Sequence, residues 1–333
     1  MIYCEHEGVR TISKKVIQYA IFICAVLMLN FFFPRLMPGS PITRLASEES
    51  VDLSPTQRAQ IIEFYDLDKP IGTQFVQFIK NTVTFDWGMS YSKKQPILTL
   101  LKDALPWTLL LAVIDLLLST IIGTFIGTMT AFLRKKRKDI KHILVLMLLG
   151  TFPSFWIGMI LISVFSVQLN WFPLYGAYSI WENNEGLAYV LDVMKHLVLP
   201  VTTMVIVSLS IFFTTSRYSV LKTIQQDYVV MAEARGIPER KIKISYILRN
   251  AFIPVFTVFM TQLGFVLSGS IIIETIFSYP GIGKMLNDAV TARDYPLMQY
   301  VFLVTSIMVM ITAFLSDVLR TKIDPTMKAA YED

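Results

Sequence analysis

Residues 107–132 read WTLLLAVIDLLLSTIIGTFIGTMTAF, a run in which Asp115 is the only charged side chain. A helix rises about 1.5 Å per residue and the hydrocarbon core of a bilayer is about 30 Å thick, so roughly 20 mainly apolar residues cross it. Inside lipid every backbone N–H and C=O has to be paired within the segment or within a closed barrel, and an uninterrupted run of this length selects a helix. Five further blocks of the same kind lie at 16–33, 143–167, 197–213, 255–273 and 297–319, and none of the six holds a lysine or arginine. The six blocks predict an all-α integral membrane protein, a bundle of six transmembrane helices. Composition agrees: 54% hydrophobic against 17% charged residues is far from a soluble globular balance.

The blocks divide the chain into a tail and first helix at 1–33, a segment at 34–106, a five-helix core at 107–319 that includes a loop at 214–254, and a tail at 320–333. Basic residues orient it, because lysine and arginine in short loops resist translocation. Of 30, nineteen fall in one alternate set: Arg10, Lys14 and Lys15, six in 134–141, seven in 217–249, and three after Leu319. Eleven fall in the other set, eight of them in the long 34–106 segment, where the rule is weak. Both termini are predicted cytoplasmic in a cell membrane, and the net charge of +5 reflects inner-face loops rather than nucleic-acid binding.

The first block follows basic residues as a signal peptide would, but it is long and no small-residue cleavage site follows, so it is expected to stay as an anchor. Cys4 lies in the tail and Cys24 within the first helix, which predicts two free thiols. The external segment carries its own helix signals. Ser54-Pro55-Thr56-Gln57 reads as a capping box with proline at the first helical position, leading to Ile61, Ile62 and Tyr65. Leu67-Asp68-Lys69-Pro70 breaks the chain before an amphipathic stretch through Phe75, Phe78 and Ile79. A cap over the helix ends and a docking platform for an external partner are both open.

Enzyme chemistry finds no foothold. The three histidines, His6, His142 and His196, lie in different segments without metal-ligand spacing, and each reads as an interfacial residue. Pro280-Gly281-Ile282-Gly283-Lys284-Met285 has Ser278 where a phosphate loop needs its first glycine, and methionine after the lysine, so ATP is not bound by that route. Two acids remain. A carboxylate in the bilayer costs roughly 2.5 to 3.5 kcal/mol on insertion scales, so Asp115 is expected to face the bundle interior, either on a pathway or in a hydrogen bond to a neighbouring helix. Glu274 closes the fifth block and is expected to be an interfacial acid that holds the turn Phe277-Ser278-Tyr279-Pro280-Gly281.

The most specific stretch is Asp227-Tyr228-Val229-Val230-Met231-Ala232-Glu233-Ala234-Arg235-Gly236-Ile237-Pro238-Glu239-Arg240. It reads as a short helix of small residues, stopped by Gly236 and restarted with Pro238 in the first turn. Ala232 and Ala234 would leave room for another surface. A second helix carrying Lys241, Lys243 and Arg249 then runs into Asn250-Ala251-Phe252-Ile253-Pro254.

At these residues the chain resembles the permeases of ATP-binding cassette importers, in the peptide and nickel uptake branch. The loop looks like that family's cytoplasmic signature, with its aspartate-tyrosine pair, alanine-x-alanine-x-glycine and asparagine-alanine-x-x-proline. Arg35-Leu36-Met37-Pro38-Gly39, Leu67-Asp68-Lys69-Pro70, Trp87-Gly88-Met89-Ser90 and the run from Glu274 through Gly283 match as well, so the resemblance covers most of the chain. The segment after the first helix points to the first of two permeases. Near the C-terminus Asp317 and the Asp324-Pro325 pair are kept, with threonine where the family usually has arginine.

The resemblance implies a type I importer permease fold. It also implies half of an ATP-driven translocation pathway for peptides, metal chelates or oligosaccharides. Partners would be a second homologous permease, two ATPase subunits carrying ATP and Mg, and an external substrate-binding protein. The loop residues Asp227, Tyr228, Ala232, Glu233, Ala234, Gly236, Asn250 and Pro254 would dock an ATPase. A secondary transporter or channel working without ATPases is the alternative; it calls for discontinuous helices and deep ions in both halves, and only Asp115 is deep. A noncatalytic membrane scaffold is a third possibility.

Overall fold

The computed structural model describes residues 2–36, 54–64, 68–90, 92–133, 139–181, 185–267 and 271–323. The described residues are helical apart from connecting loops and one isolated bridge between Met89 and Pro96. Tyr65, Leu67, Met37 to Gly39 and the Asp324-Pro325 pair lie outside them. The helices are α1 (Ile2–Leu36), α2 (Pro55–Phe64), α3 (Ile71–Thr84), α4 (Ile97–Phe132), α5 (Asp139–Thr151) and α6 (Ser154–Leu161), which continues as a π-helical stretch, Ile162–Gln168. They are followed by α7 (Leu187–Ile224), α8 (Asp227–Ala234), a turn at Glu239–Lys241, a π-helical stretch at Ile242–Leu248, α9 (Arg249–Leu267), α10 (Ile271–Ile276), α11 (Ile282–Ala292) and α12 (Tyr295–Ile323).

Among the described residues four helical runs are long and apolar enough to cross a membrane: Ile97–Phe132, Leu187–Ile224, Glu239–Leu263 and Tyr295–Leu319. A bent pair, Ile143–Thr151 with Ser154–Gln168, passes the same test only together and turns by 99°, the geometry of a broken span or of a re-entrant loop. The sequence reads 143–167 as one straight span. Pro153 breaks it, since proline fixes φ, lacks an N–H and keeps the preceding residue out of the helical region. The apolar part of α1, Ile17–Phe32, is shorter than the others. The described residues thus hold four such helices, or five if the bent pair is one span, where the sequence predicts six.

The chain forms two compact units, residues 1–106 with 284–310, and residues 107–283 with 311–333. In the first unit α1 is clamped to α3. Phe31 is fully buried and meets Phe75 edge-on at 5.1 Å, while the Arg35 guanidinium lies 3.6 Å over the Phe31 ring. The same guanidinium donates to Gln74 Oε1 at 3.0 and 3.2 Å and to the Phe31 carbonyl at 2.7 Å. α2 begins at Pro55 as expected. The Trp87-Gly88-Met89-Ser90 motif is an anchor here: Trp87 stacks on Tyr300 at 4.9 Å, and Asp294 Oδ2 accepts from Ser90 Oγ at 2.5 Å and from Ser92 N and Oγ at 2.9 Å. Asp294 Oδ1 also accepts from Leu297 N, so this buried carboxylate caps the start of α12.

In the second unit the packing axis is α7, 38 residues and about 57 Å long. α4 lies against it through Gly123 and Gly127. A Cβ on Gly127 would sit 2.5 Å from the Phe213 carbonyl oxygen, and one on Gly123 would sit 2.7 Å from Phe212 Cβ. Small residues four apart let two backbones approach this closely, which is the packing that apolar surroundings reward. Ser216 Oγ then reaches the Thr124 carbonyl at 3.1 Å and Thr128 Oγ1 at 3.0 Å.

Gly127→Ala is expected to cost about 1 to 3 kcal/mol, the range for overpacking a filled core, because the nearest neighbour, the Phe213 carbonyl, is backbone and cannot rotate away. Gly72, in α3, has nothing within 4 Å of a Cβ, and Gly72→Ala is expected to gain about 0.5 to 1 kcal/mol from helix propensity. Thermal unfolding of the purified chain in detergent measures both, and the two variants are expected to move the midpoint in opposite directions.

Candidate functional site

The loop after α7 is built by two helix ends. Gln226 adopts extended backbone and its carbonyl accepts from Val229 N at 2.9 Å and Val230 N at 3.3 Å, which starts α8. At the other end Gly236 N donates to the Glu233 carbonyl at 2.9 Å and Ile237 N to the Ala232 carbonyl at 3.2 Å, with Gly236 at φ 71°. This is the Schellman stop, and the left-handed residue it requires is the glycine. Pro238 is the residue before the next turn rather than its first member; its carbonyl accepts from Lys241 N and Ile242 N at 2.9 and 3.1 Å.

The loop has two faces. Val229, Ala232, Ile242, Ile247 and Ala251 are buried together with Val220 of α7 and Ala131 of α4, and Ile237 packs on them. Ala232 is 3% exposed, so the room its small side chain leaves is filled by this chain itself, not held open for another surface as the sequence suggests. Ala234 is the alanine that remains outside, with Asp227, Tyr228, Val230, Met231, Glu233, Arg235 and Gly236. Asn250 Nδ2 donates to Tyr228 OH at 3.0 Å and to the Tyr246 carbonyl at 2.9 Å, tying α8 to the start of α9. Ser219 Oγ of α7 donates to the Ala251 carbonyl at 2.9 Å, three residues before Pro254 inside α9. The sequence marks Tyr228 and Asn250 singly, and their separation of 22 residues hides the bond between them.

The structure separates the two acids from this loop. Asp115 is 1% exposed on α4, and Ser208 Oγ of α7 donates to its Oδ2 at 3.2 Å, so it makes the hydrogen bond to a neighbouring helix. Glu274 is also 1% exposed, an acid enclosed by the protein. Thr108 Oγ1 donates to Glu274 Oε1 at 2.9 Å and accepts from Ile282 N at 2.8 Å, and Tyr279 N donates to the Glu274 carbonyl at 2.7 Å. The turn that follows is held as expected, and Gly281 is needed in it: a Cβ there would lie 2.5 Å from Thr108 Oγ1.

His196 is buried as well. Its Nδ1 is 2.9 Å from the Asp192 carbonyl and 3.4 Å from Asp192 Oδ1. The side chains of His6 and His142 lie outside the described ones. Among the described residues no group of three or more His, Cys, Asp or Glu is placed to hold a metal ion. Thr108, Ser208 and Asp294 escaped sequence reading because each is an ordinary residue until a distant carboxylate or hydroxyl is folded against it.

Comparison with known proteins bears on the same residues. The family model for the binding-protein-dependent transport system inner membrane component matches residues 119–329, which include the loop, α9 and α12. The di/tripeptide transport system permease protein DppB of Pseudomonas aeruginosa is 32% identical over 318 residues, covering 91% of this chain and 94% of that one. The oligopeptide transport system permease protein AppB of Bacillus subtilis is 29% identical, with 95% and 98% covered. The glutathione transport system permease protein GsiC of Escherichia coli is 32% identical over 312 residues, with 92% and 94% covered. Among solved structures, an inward-facing MetNI methionine transporter chain shares the fold with a TM-score of 0.54 at 14% identity, covering 69% of this chain and 99% of that one. The chain belongs to the binding-protein-dependent transport system inner membrane components: it is a multi-pass permease subunit of an ATP-binding cassette importer, and not itself an enzyme.

Proposed function

We propose that this chain forms one half of the translocation pathway of a peptide importer, beside a second homologous permease. Two ATPase subunits carrying ATP and Mg drive it, and an external substrate-binding protein delivers the cargo. Peptide cargo is taken from the relatives, whose names specify di- and tripeptides, oligopeptides and glutathione. Both termini lie in the cytoplasm, and the apolar part of α1 completes six crossings.

The observation that carries the reading is the two-faced loop of α8 and the start of α9. Its inner face is packed against the ends of α4 and α7, so displacement of the loop moves these helices with it. Its outer face presents Tyr228, Glu233, Ala234 and Gly236 on a helix that is stopped by a rigid cap. An ATPase that grips the outer face therefore acts on the pathway helices without contacting them.

Ala234→Trp places bulk on the outer face and leaves the core untouched. It is expected to keep the yield of the permease, lower the amount of ATPase that co-purifies, and lower uptake in proportion. Gly236→Glu is expected to act in the same direction and to lose about 1 to 2 kcal/mol of stability besides, since a side chain in the left-handed region is strained. Ala232→Trp, in the core, is expected to reduce the yield itself. Normal ATPase retention and normal uptake in Ala234→Trp together with Gly236→Glu would remove the docking assignment.

A single cysteine at Ser54 is expected to react with an impermeant maleimide added outside, and one at Arg240 only after the inner face is opened. Labelling at Ser54 from the cytoplasmic side would reverse the orientation.

A further inference from the structure

Residues 176–179, which precede α7 in the chain, are firmly held, and exposed apolar side chains lie directly beside them. Gly176 N donates to the Phe277 carbonyl at 2.9 Å, Tyr178 stacks on Trp107 with centroids 5.8 Å apart, and Ser179 donates through N and Oγ to Asp192 at 2.6 and 2.9 Å. Ala177 between them is 2% exposed. Immediately beyond this frame Ile180 is 75% exposed and Trp181 95%. The two side chains add a large exposed apolar area directly beside the bonded frame.

The depth of that surface follows from α7. No Asp, Glu, Lys or Arg occurs between Lys195 and Arg217, and residues 196–216 make about 31 Å of helix, the thickness of the hydrocarbon core. Asp192 therefore stands about 6 Å beyond the hydrocarbon edge, within the headgroup layer. Ser179, bonded to it, is at the same level, and Ile180 and Trp181 follow directly. Leu187, Leu191, Met194 and Val198 are exposed at spacings of four, three and four, one continuous face of α7. That face passes Lys195 and reaches Val198 inside the charge-free span, where a water-soluble partner cannot follow it.

We propose that Ile180, Trp181 and this face of α7 form an interfacial anchor seated in the headgroup and acyl boundary of the bilayer, so that its partner is phospholipid. Tryptophan suits the position, with an apolar ring and an N–H that finds acceptors among headgroups. The anchor would fix the height of the loop that Phe277 and Asp192 hold. The proposal rests on the membrane crossing of α7 and not on the identity of the cargo or on the ATPase contact.

The test uses the full chain with Cys4 and Cys24 replaced by serine and a nitroxide on Trp181→Cys, reconstituted in vesicles of phosphatidylethanolamine and phosphatidylglycerol. The label is expected to be relaxed more by lipid-soluble oxygen than by a water-soluble nickel chelate, with no change on adding the second permease. As a check on the label, Trp181→Phe is expected to lower the share of tryptophan emission quenched by lipids brominated near the headgroup. Greater relaxation by the chelate would place Trp181 in water and overturn the proposal. Exclusion of both relaxants only in the presence of the second permease or an external protein would overturn it in favour of a protein interface. Both outcomes leave uptake and ATPase retention unaffected as evidence for the function proposed above.

Discussion

The close approach of α4 to α7 at Gly123 and Gly127 is the contact on which the second unit depends. A hydrophobic drive between helices is absent in lipid, so association rests on packing and hydrogen bonds, and both need the backbones near each other. Removing two Cβ atoms brings the Phe213 carbonyl into the groove of α4 and lets Ser216 pair with Thr124 and Thr128. The same alignment sets Ser208 opposite Asp115, which would otherwise be a buried carboxylate without a donor on Oδ2. Burying such a group without compensation is costly, so the polar pair also fixes the axial register of the two helices.

Three buried carboxylates act as locators, each joining a loop to a helix. Glu274 holds the start of α11 through Thr108, Asp192 holds the loop at Ser179, and Asp294 holds the loop at Ser90 and Ser92 while capping α12. In each case serine or threonine hydroxyls or backbone N–H groups supply the donors, and a wrong register would leave both sides unpaired. Apolar packing alone tolerates sliding; these bonds do not.

The α8 loop uses the opposite arrangement, with apolar residues inward and a mixed polar face outward. Its inner cluster draws on α4, α7 and the residues that lead into α9, so the loop and these helix ends form one packed body. A close-packed body transmits displacement instead of absorbing it, which gives the proposed ATPase contact a mechanical route to α4, α7 and α9.

The amino-acid sequence by itself determined that the chain is an all-helical membrane protein, where its apolar blocks lie, and that Gly236 ends a helix with left-handed backbone. These follow from local physics: run length against bilayer thickness, and the φ that only glycine adopts freely. The motifs at Asp227 to Pro254 and Glu274 to Gly283 were legible as patterns for the same reason. What the tertiary structure decided is what each residue faces. It turned Ala232 inward and Ala234 outward, enclosed Glu274 and His196 within the protein, bent the third block at Pro153, and joined Tyr228 to Asn250 and Asp294 to Ser90. Burial and long-range pairing depend on which helices meet, and that is set by packing summed over distant residues, which no window of the chain contains.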